Sequence, residues 1–484
     1  MIAALVRLDA RLLLRSRLAL AMLLLLVAAA ALALAGGLDW RARYTDAAAD
    51  ARIQVAKDAA VLREIYIGTA RGDITPTDVR TFDGNGEYTP DPRDPYVAGW
   101  HHTQIAELPA GPLLGMATGT TELHATHHLI KSVPLDGILR VGVPAERVNP
   151  GALAAGRFDL LTFIALLCPL VLIALLYDVL GREREAGLTP LLAALGATAG
   201  QLLLARGMLR GGIVIVVAVA ASLCGFVLIG LDDFLTGLLW TVGIVLYLGL
   251  WTLLVLCVAS LRTGTAGAAG AAIACWVALL LLSPAILERA ARPHGLLEPR
   301  VLADAEVRRV LRVKGAPEAI EESTREVAQR YWNIDFEQAP ACAYRADVVP
   351  EFVRRRLADE HYAAAMRIGM AKEALFDARL DRWSWLSPAL AFRRAMERIA
   401  GVDAARQRLF AEEVIRYHAQ WRGRVTDALF NCQSFDRRSF EAAPRFVWRN
   451  PPKIDPSIAG GAVTLAACCG LAGIFAMRKR PLFF

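Results

Sequence analysis

Six stretches of the chain, 18–35, 160–177, 211–231, 238–260, 265–287 and 457–477, are apolar over about the 20 residues that a helix needs to cross a bilayer, and none carries a charge in its middle. Inside lipid no water pairs with the backbone, so each stretch is expected to close its own hydrogen bonds as a helix. Hydrophobic residues make up 55% of the 484, and the mean hydropathy is +0.39, more apolar than a soluble chain of this size. The fold class read from the sequence is therefore an α-helical polytopic membrane protein. It has six transmembrane helices and two large, mainly helical extracytoplasmic domains.

The basic residues set the expected orientation. Arg7, Arg11, Arg15 and Arg17 precede the first span, and Arg182, Arg184, Arg206 and Arg210 lie between the second and third. Arg262 separates the fourth from the fifth, and Arg478, Lys479 and Arg480 follow the sixth. All fall on one side if the spans alternate, while Asp232 and Asp233 occupy the short loop opposite. Both termini are thus expected in the cytosol of a bacterial inner-membrane protein. The expected layout runs from an interfacial helix at 1–17 through span 1 (18–38), a first periplasmic domain (39–157), span 2 (158–178) and a cytoplasmic loop (179–210). Spans 3, 4 and 5 (211–231, 236–260, 265–287), a second periplasmic domain (288–456), span 6 (457–477) and a tail (478–484) complete it. The formal charge of +7 is the positive-inside bias, with no basic run that calls for a nucleic-acid partner.

The N-terminus allows a second reading. Basic residues, an apolar core and Ala33-Leu34-Ala35 have the layout of a cleaved signal peptide. Against this, Arg7, Arg11 and Arg15 recur every four residues, with Ile2, Leu5, Leu12 and Leu13 around the rest, as in a helix lying along a membrane surface.

Cys168, Cys224, Cys257, Cys275, Cys468 and Cys469 fall inside the apolar stretches and read as small packing residues. Cys342 and Cys432 alone lie outside them, both in the second external segment, where an oxidising space favours a disulfide between them. Two buried free thiols are the alternative. In the external segments, 40–67 reads as a helix continuing out of the membrane, 68–112 as turns and 120–141 as short β-compatible pieces. Helical spacing recurs over 301–314, 317–332, 349–380, 388–399 and 404–429.

His101, His102, His124, His127 and His128 invite a metal reading, but no thiol or acidic partner beyond Glu122 stands at matching spacing, and hydrogen-bonded histidines are the favoured account. No metal or cofactor site is expected. Neither a P-loop, nor a G-x-S-x-G elbow, nor H-E-x-x-H occurs, so the chain is not expected to be an enzyme. The spans carry no mid-depth carboxylate, lysine or histidine of the kind that proton-coupled carriers use. Asp159 and Asp178 read as markers of the two ends of span 2, and Pro169 is expected to disturb the helix between them.

The charged turn Arg182-Glu183-Arg184-Glu185-Ala186-Gly187, wedged between two apolar runs, offers a handle for a cytosolic protein; an ordinary solvated turn is the alternative. The run from Asn149-Pro150 through Gly156-Arg157-Phe158-Asp159-Leu160, Pro169-Leu170 and Tyr177-Asp178 to this turn resembles the permease subunits of type-2 ABC transporters. The likeness is to the group with large external domains after the first and fifth spans. Leu386-Ser387-Pro388-Ala389-Leu390, Ala400-Gly401-Val402-Asp403 and Arg406 to Phe410 are similar to a stretch that recurs in that group's second external domain. The family usually has E-x-G-T-L with a later proline, whereas here Leu188-Thr189-Pro190 follows Gly187 and Leu195-Gly196 holds the later position.

The resemblance implies that Arg182, Glu183, Arg184, Glu185 and Gly187 form a coupling helix seated in a groove of a separate ABC ATPase dimer, which hydrolyses the ATP. It also implies a second permease chain, as homodimer or paralogous heterodimer, around the path. The bilayer and a periplasmic partner complete the expected associations. The function read in this way is an ATP-driven permease for export or for work on an envelope partner. Since the spans show no polar lining, a membrane-anchored scaffold or sensor whose external domains bind a partner without translocation is the alternative.

Overall fold

The computed structural model of the chain describes residues 2–71, 94–132, 135–140, 157–194, 198–261, 264–295, 297–314, 317–332, 348–431 and 433–449. The expected sixth span at 457–477 and the expected Cys342–Cys432 disulfide lie outside the described residues.

The chain opens with α1 (Ile2–Arg15), which Ser16 separates from α2 (Arg17–Arg71). The Ser16 hydroxyl accepts from the Ala19 N–H at 3.2 Å, the bond a helix N-cap makes. α2 runs unbroken for 55 residues, about 80 Å at 1.5 Å per residue, so the first apolar stretch and the expected external helix are one rod. α3 (Pro95–His101), β1 (Gln104–Glu107), β2 (His127–Ile130) and α4 (Leu135–Arg140) follow. β1 and β2 pair antiparallel with Gln104 opposite Ile130 and Glu107 opposite His127. Next come α5 (160–176), the short α6 (Gly181–Glu185), α7 (Thr189–Ala194), α8 (Ala199–Ile229), α9 (Phe234–Ala259) and α10 (Thr265–Ala291). The remainder is α11 (Pro299–Lys314), α12 (Pro317–Trp332), α13 (Val348–Trp383), α14 (Pro388–Ala400), α15 (Ala404–Phe430) and α16 (Arg437–Glu441).

Among the described residues, five helices are long and apolar enough to cross a membrane: Arg17–Ile67, Leu160–Glu185, Ala199–Ile229, Phe234–Ala259 and Thr265–Ala291. Leu24, Val216, Val227 and Ile286 are exposed on them, an apolar outer surface of the kind that meets lipid or a partner. Their inner faces meet in one core around Phe163, Leu172, Trp240, Tyr247 and Trp251.

Two prolines inside these helices are accommodated in the same manner. A proline lacks an N–H and pushes away the carbonyl four residues earlier. Ahead of Pro169 the helix widens to a π segment at Phe163–Leu167, and ahead of Pro284 to another at Ala278–Leu282. The Ala165 carbonyl, the one that Pro169 leaves without its usual donor, accepts from the Tyr247 hydroxyl at 2.9 Å, and the indole N–H of Trp276 reaches the Leu166 carbonyl at 3.3 Å. The Leu279 carbonyl accepts from Ser283 Oγ at 2.9 Å and Ser387 Oγ at 3.3 Å.

The two segments expected as external domains share one core. Leu62 and Tyr66 of α2, Ala106, Leu108 and Ile130 of the strand pair and its flank, Tyr362, Trp421 and Phe440 are buried together. Polar ties cross between the segments as well. Asp359 of α13 accepts from the Leu135 N–H at 2.7 Å and pairs with Arg422 of α15, and Arg406 donates to the carbonyls of Gly401 at 2.6 Å and Pro109 at 2.8 Å. The layer closes down onto the helix bundle where Gly37 faces Gly115. A side-chain carbon at Gly37 would lie 2.0 Å from the Gly115 carbonyl oxygen, so only glycine permits this approach. From the layer, α14 inserts between the bundle helices: Phe392 and Met396 are buried in the same core as Tyr247 and Trp251, and Ser387 caps α14 by accepting from the Leu390 N–H at 3.3 Å.

Candidate functional site

At the end of the bundle away from that layer, the charged turn is built as α6. Gly181 is buried against Thr265 where α10 begins. The helix stops in a Schellman arrangement: the Leu188 N–H bonds to the Glu183 carbonyl at 2.9 Å and the Gly187 N–H to the Arg184 carbonyl at 3.1 Å. This closure needs the left-handed conformation at Gly187, whose φ is +67°. The glycine expected from the motif is thus required by the backbone, while its α-carbon faces open space.

The site residues divide by what they touch. Glu183 is half-buried and pairs with Arg206 of α8. Arg206 also donates to the Val179 carbonyl and lies 3.5 Å from Asp9 of α1. Arg210, one turn on, holds Asp9 through Nη2 at 2.8 Å and Nε at 3.0 Å, Asp178 at 3.2 Å and the Leu175 carbonyl at 2.6 Å. Asp9 is 2% exposed. A carboxylate buried to that degree needs charged and hydrogen-bonded partners, and two guanidiniums supply them. Glu185 accepts from both the N–H and the hydroxyl of Thr265 at 2.8 Å, capping α10, whose own N-cap Gly264 offers no side chain. Arg184 donates to the Leu261 carbonyl at 2.8 Å. Arg182 points outward and is exposed, as are Gly187, Leu188 and Leu191.

By sequence alone Glu183 and Glu185 carry the outward charge of the turn, whereas in the structure both turn toward the chain itself. Asp178, Arg206 and Arg210 look in the sequence like end markers and positive-inside residues, and Asp9 stands apart from the charged turn. The signal was present: Asp9 is the lone acid in an amphipathic helix with three arginines. Beside this network, between α1, α5 and α6, lies a cleft of about 720 Å³ lined by Leu12, Leu13, Met22, Tyr177, Arg182 and Leu188 among others.

The histidines are packed into the outer layer. His102 stacks on Phe440 at 4.3 Å and meets Trp421 edge-on at 4.7 Å, with its Nε2 2.6 Å from the Gln104 amide nitrogen. His128 stacks on Phe410 at 5.7 Å and its Nδ1 lies 3.1 Å from the Ile138 carbonyl. Thr126 Oγ1 lies 2.9 Å from His127 Nδ1. Burial pushes His102, His124 and His128 down to about 4. Among the described residues no group of three histidine, cysteine, aspartate or glutamate side chains could hold a metal ion.

A family described as Domain of unknown function (DUF3526) matches residues 321–449, the stretch from α12 to just past α16. No curated protein matches the chain, and no solved structure does.

Proposed function

We propose that the chain is the membrane subunit of an ATP-driven type-2 ABC transporter, coupling a separate ATPase to export or to work on an envelope partner. The observation that carries this reading is α6. It is a short helix pinned to the ends of three spanning-type helices: to α8 by Glu183–Arg206, to α10 by Glu185–Thr265 and to the turn that ends α9 by Arg184–Leu261. It leaves Arg182, Leu188 and Leu191 outward. A push on such a helix reaches all three spans without passing through a flexible linker. In this reading the outward face, not Glu183 or Glu185, meets the ATPase, and the two glutamates transmit the load. Both termini face the cytosol and the joint outer layer faces the periplasm. ATP hydrolysis resides on the partner, and a second permease chain completes the complex.

The scaffold alternative drew its support from apolar spans without a polar lining. α14 weakens that support, because it carries Arg393 and Glu397 to a cavity beside α5 and α10. The test is co-expression with the ABC ATPases of the source genome, purification through a tag on this chain, and measurement of ATPase activity. The complex is expected to co-purify and to hydrolyse ATP. Absence of any co-purifying ATPase under conditions where the chain and the ATPases are made would overturn the reading.

A further inference from the structure

Between α5, α10 and α14 lies a second cavity, of about 260 Å³. Its two ends differ in chemistry. Leu166 of α5, Leu280 of α10 and Leu390 of α14 supply an apolar floor, Glu122, Arg157 and Glu397 are charged groups held largely inside, and Glu288 and Arg393 are exposed at the rim. The depth follows from helix geometry. Ser387, at the start of α14, bonds to the Leu279 carbonyl, about 18 Å along α10 from its end at Ala291 at 1.5 Å per residue. The floor is therefore level with the outer half of the apolar spans, and Glu288 marks the place where α10 leaves its apolar run. A charged rim over an apolar floor, at a membrane boundary, has the profile of one amphiphilic molecule: headgroup above, chain below.

The sign of the headgroup follows from the charge count. Four carboxylates, Glu122, Asp159, Glu288 and Glu397, line the cavity against two guanidiniums, Arg157 and Arg393. Arg157 pairs with Glu122 at 2.5 Å and Arg393 with Glu397 at 2.8 Å. Asp159 is bound only by neutral donors: the N–H of Thr118 at 2.7 Å, its hydroxyl at 3.0 Å, and the N–H of Thr162 at 2.8 Å. Glu288 is exposed at the rim with no ion pair among the described residues. Arg393, already paired with Glu397, is the cation whose charge also reaches Asp159 and Glu288, so the lining carries two more negative charges than positive.

We propose that this cavity binds an amphiphile whose headgroup carries an amine, with Glu288 as the counter-charge and the Leu166, Leu280 and Leu390 floor receiving the chain. No described group of ligands could hold a metal ion, which favours an organic ammonium over a metal cation. The site's role in transport rests on the permease reading, in which this amphiphile is the cargo class; the binding itself does not.

The experiment takes the full chain, purified in a neutral maltoside detergent, and titrates it calorimetrically with dodecylamine, dodecanoate and ethanolamine. Dodecylamine is expected to bind saturably and at least tenfold more tightly than dodecanoate, which has the same chain and the opposite charge. It is expected to bind at least tenfold more tightly than ethanolamine, which separates a chain-bearing ligand from a free amine. Glu288→Lys, an exposed position whose change leaves the packing intact, is expected to weaken dodecylamine at least tenfold. A difference under tenfold in any of the three comparisons overturns the assignment. The calorimetry reads this chain alone, so failure to recruit an ATPase leaves the result unaffected, and a negative titration leaves the permease reading standing.

Discussion

Arg210 grips Asp9 with two nitrogens, Nη2 to Oδ1 at 2.8 Å and Nε to Oδ2 at 3.0 Å, and so fastens the first helix of the chain to the third apolar helix. Asp9→Ala removes the acceptor that Arg206 and Arg210 share. Breaking a buried pair outright costs about 3–5 kcal/mol. Glu183 and Asp178 remain to these arginines, so a loss of about 2–3 kcal/mol is expected, near the value of hydrogen bonds to charged groups. Limited proteolysis in detergent should show α1 cut earlier than in the parent chain. An unchanged cleavage rate would mean that α1 is held by its apolar face alone.

The outward and inward residues of the coupling turn should separate experimentally. Leu188→Asp with Leu191→Asp is expected to abolish ATPase co-purification while leaving thermal unfolding of the chain within about 0.5 kcal/mol, as exposed positions do. Glu183→Gln is expected to show the reverse order, destabilising the chain by about 1–3 kcal/mol through Arg206 and weakening recruitment less. Retention of the ATPase by the double leucine variant would place the docking face elsewhere.

The histidines give the outer layer a pH dependence of definite sign. Folded His102 and His128 lie at about 4, against the ordinary 6.5. Between those values the unfolded chain binds more protons than the folded one, so stability is greatest above about pH 6.5 and falls as the pH drops toward 4. The upper limit is about 3 kcal/mol for each residue. Tryptophan fluorescence, which Trp421 beside His102 reports, should show an acid transition in this window, and His102→Phe should shift it to lower pH. A transition at the same pH in that variant would assign it to other groups.

Tyr247→Phe keeps the packing against Phe392 and removes only the hydroxyl bonded to Ala165. The carbonyl then loses its side-chain donor, Pro169 cannot serve it, and a loss of about 1–3 kcal/mol is expected. Unfolding in detergent measures it; a neutral result would show that the π segment closes on its own.

Topology can be read directly. Reporters fused at Ala110 and Glu318 are expected outside, and one at Thr198 inside. A single reporter on the opposite side breaks the alternation of spans.

Much of this fold is legible because it rests on local rules. Apolar length placed the five spanning-type helices, and 3.6-residue periodicity placed α11 to α15 within a few residues of their ends. What was not legible depends on partners far apart in sequence. Nothing near Glu183 announces Arg206, and nothing near Asp9 announces Arg210. The helix 388–399 was visible as a helix, but its insertion between the spans turns on Phe392 meeting Tyr247 and Ser387 meeting Leu279, which periodicity does not encode. The same holds for the outer core: each half was read as its own domain, because the burial of Leu62 and Tyr66 beside Phe440 is a tertiary fact.

The unbroken α2 makes the first spanning-type helix a lever arm. From the level of Gly37 to Tyr66 it projects about 45 Å beyond the bundle at 1.5 Å per residue. A tilt of about 10° at its base would carry Tyr66 about 8 Å sideways, by the same geometry. Because Tyr66 is buried with Phe440, that sweep would be imposed on the whole outer layer. A small angular change within the bundle is thereby geared up into a stroke as wide as a peptide chain is thick.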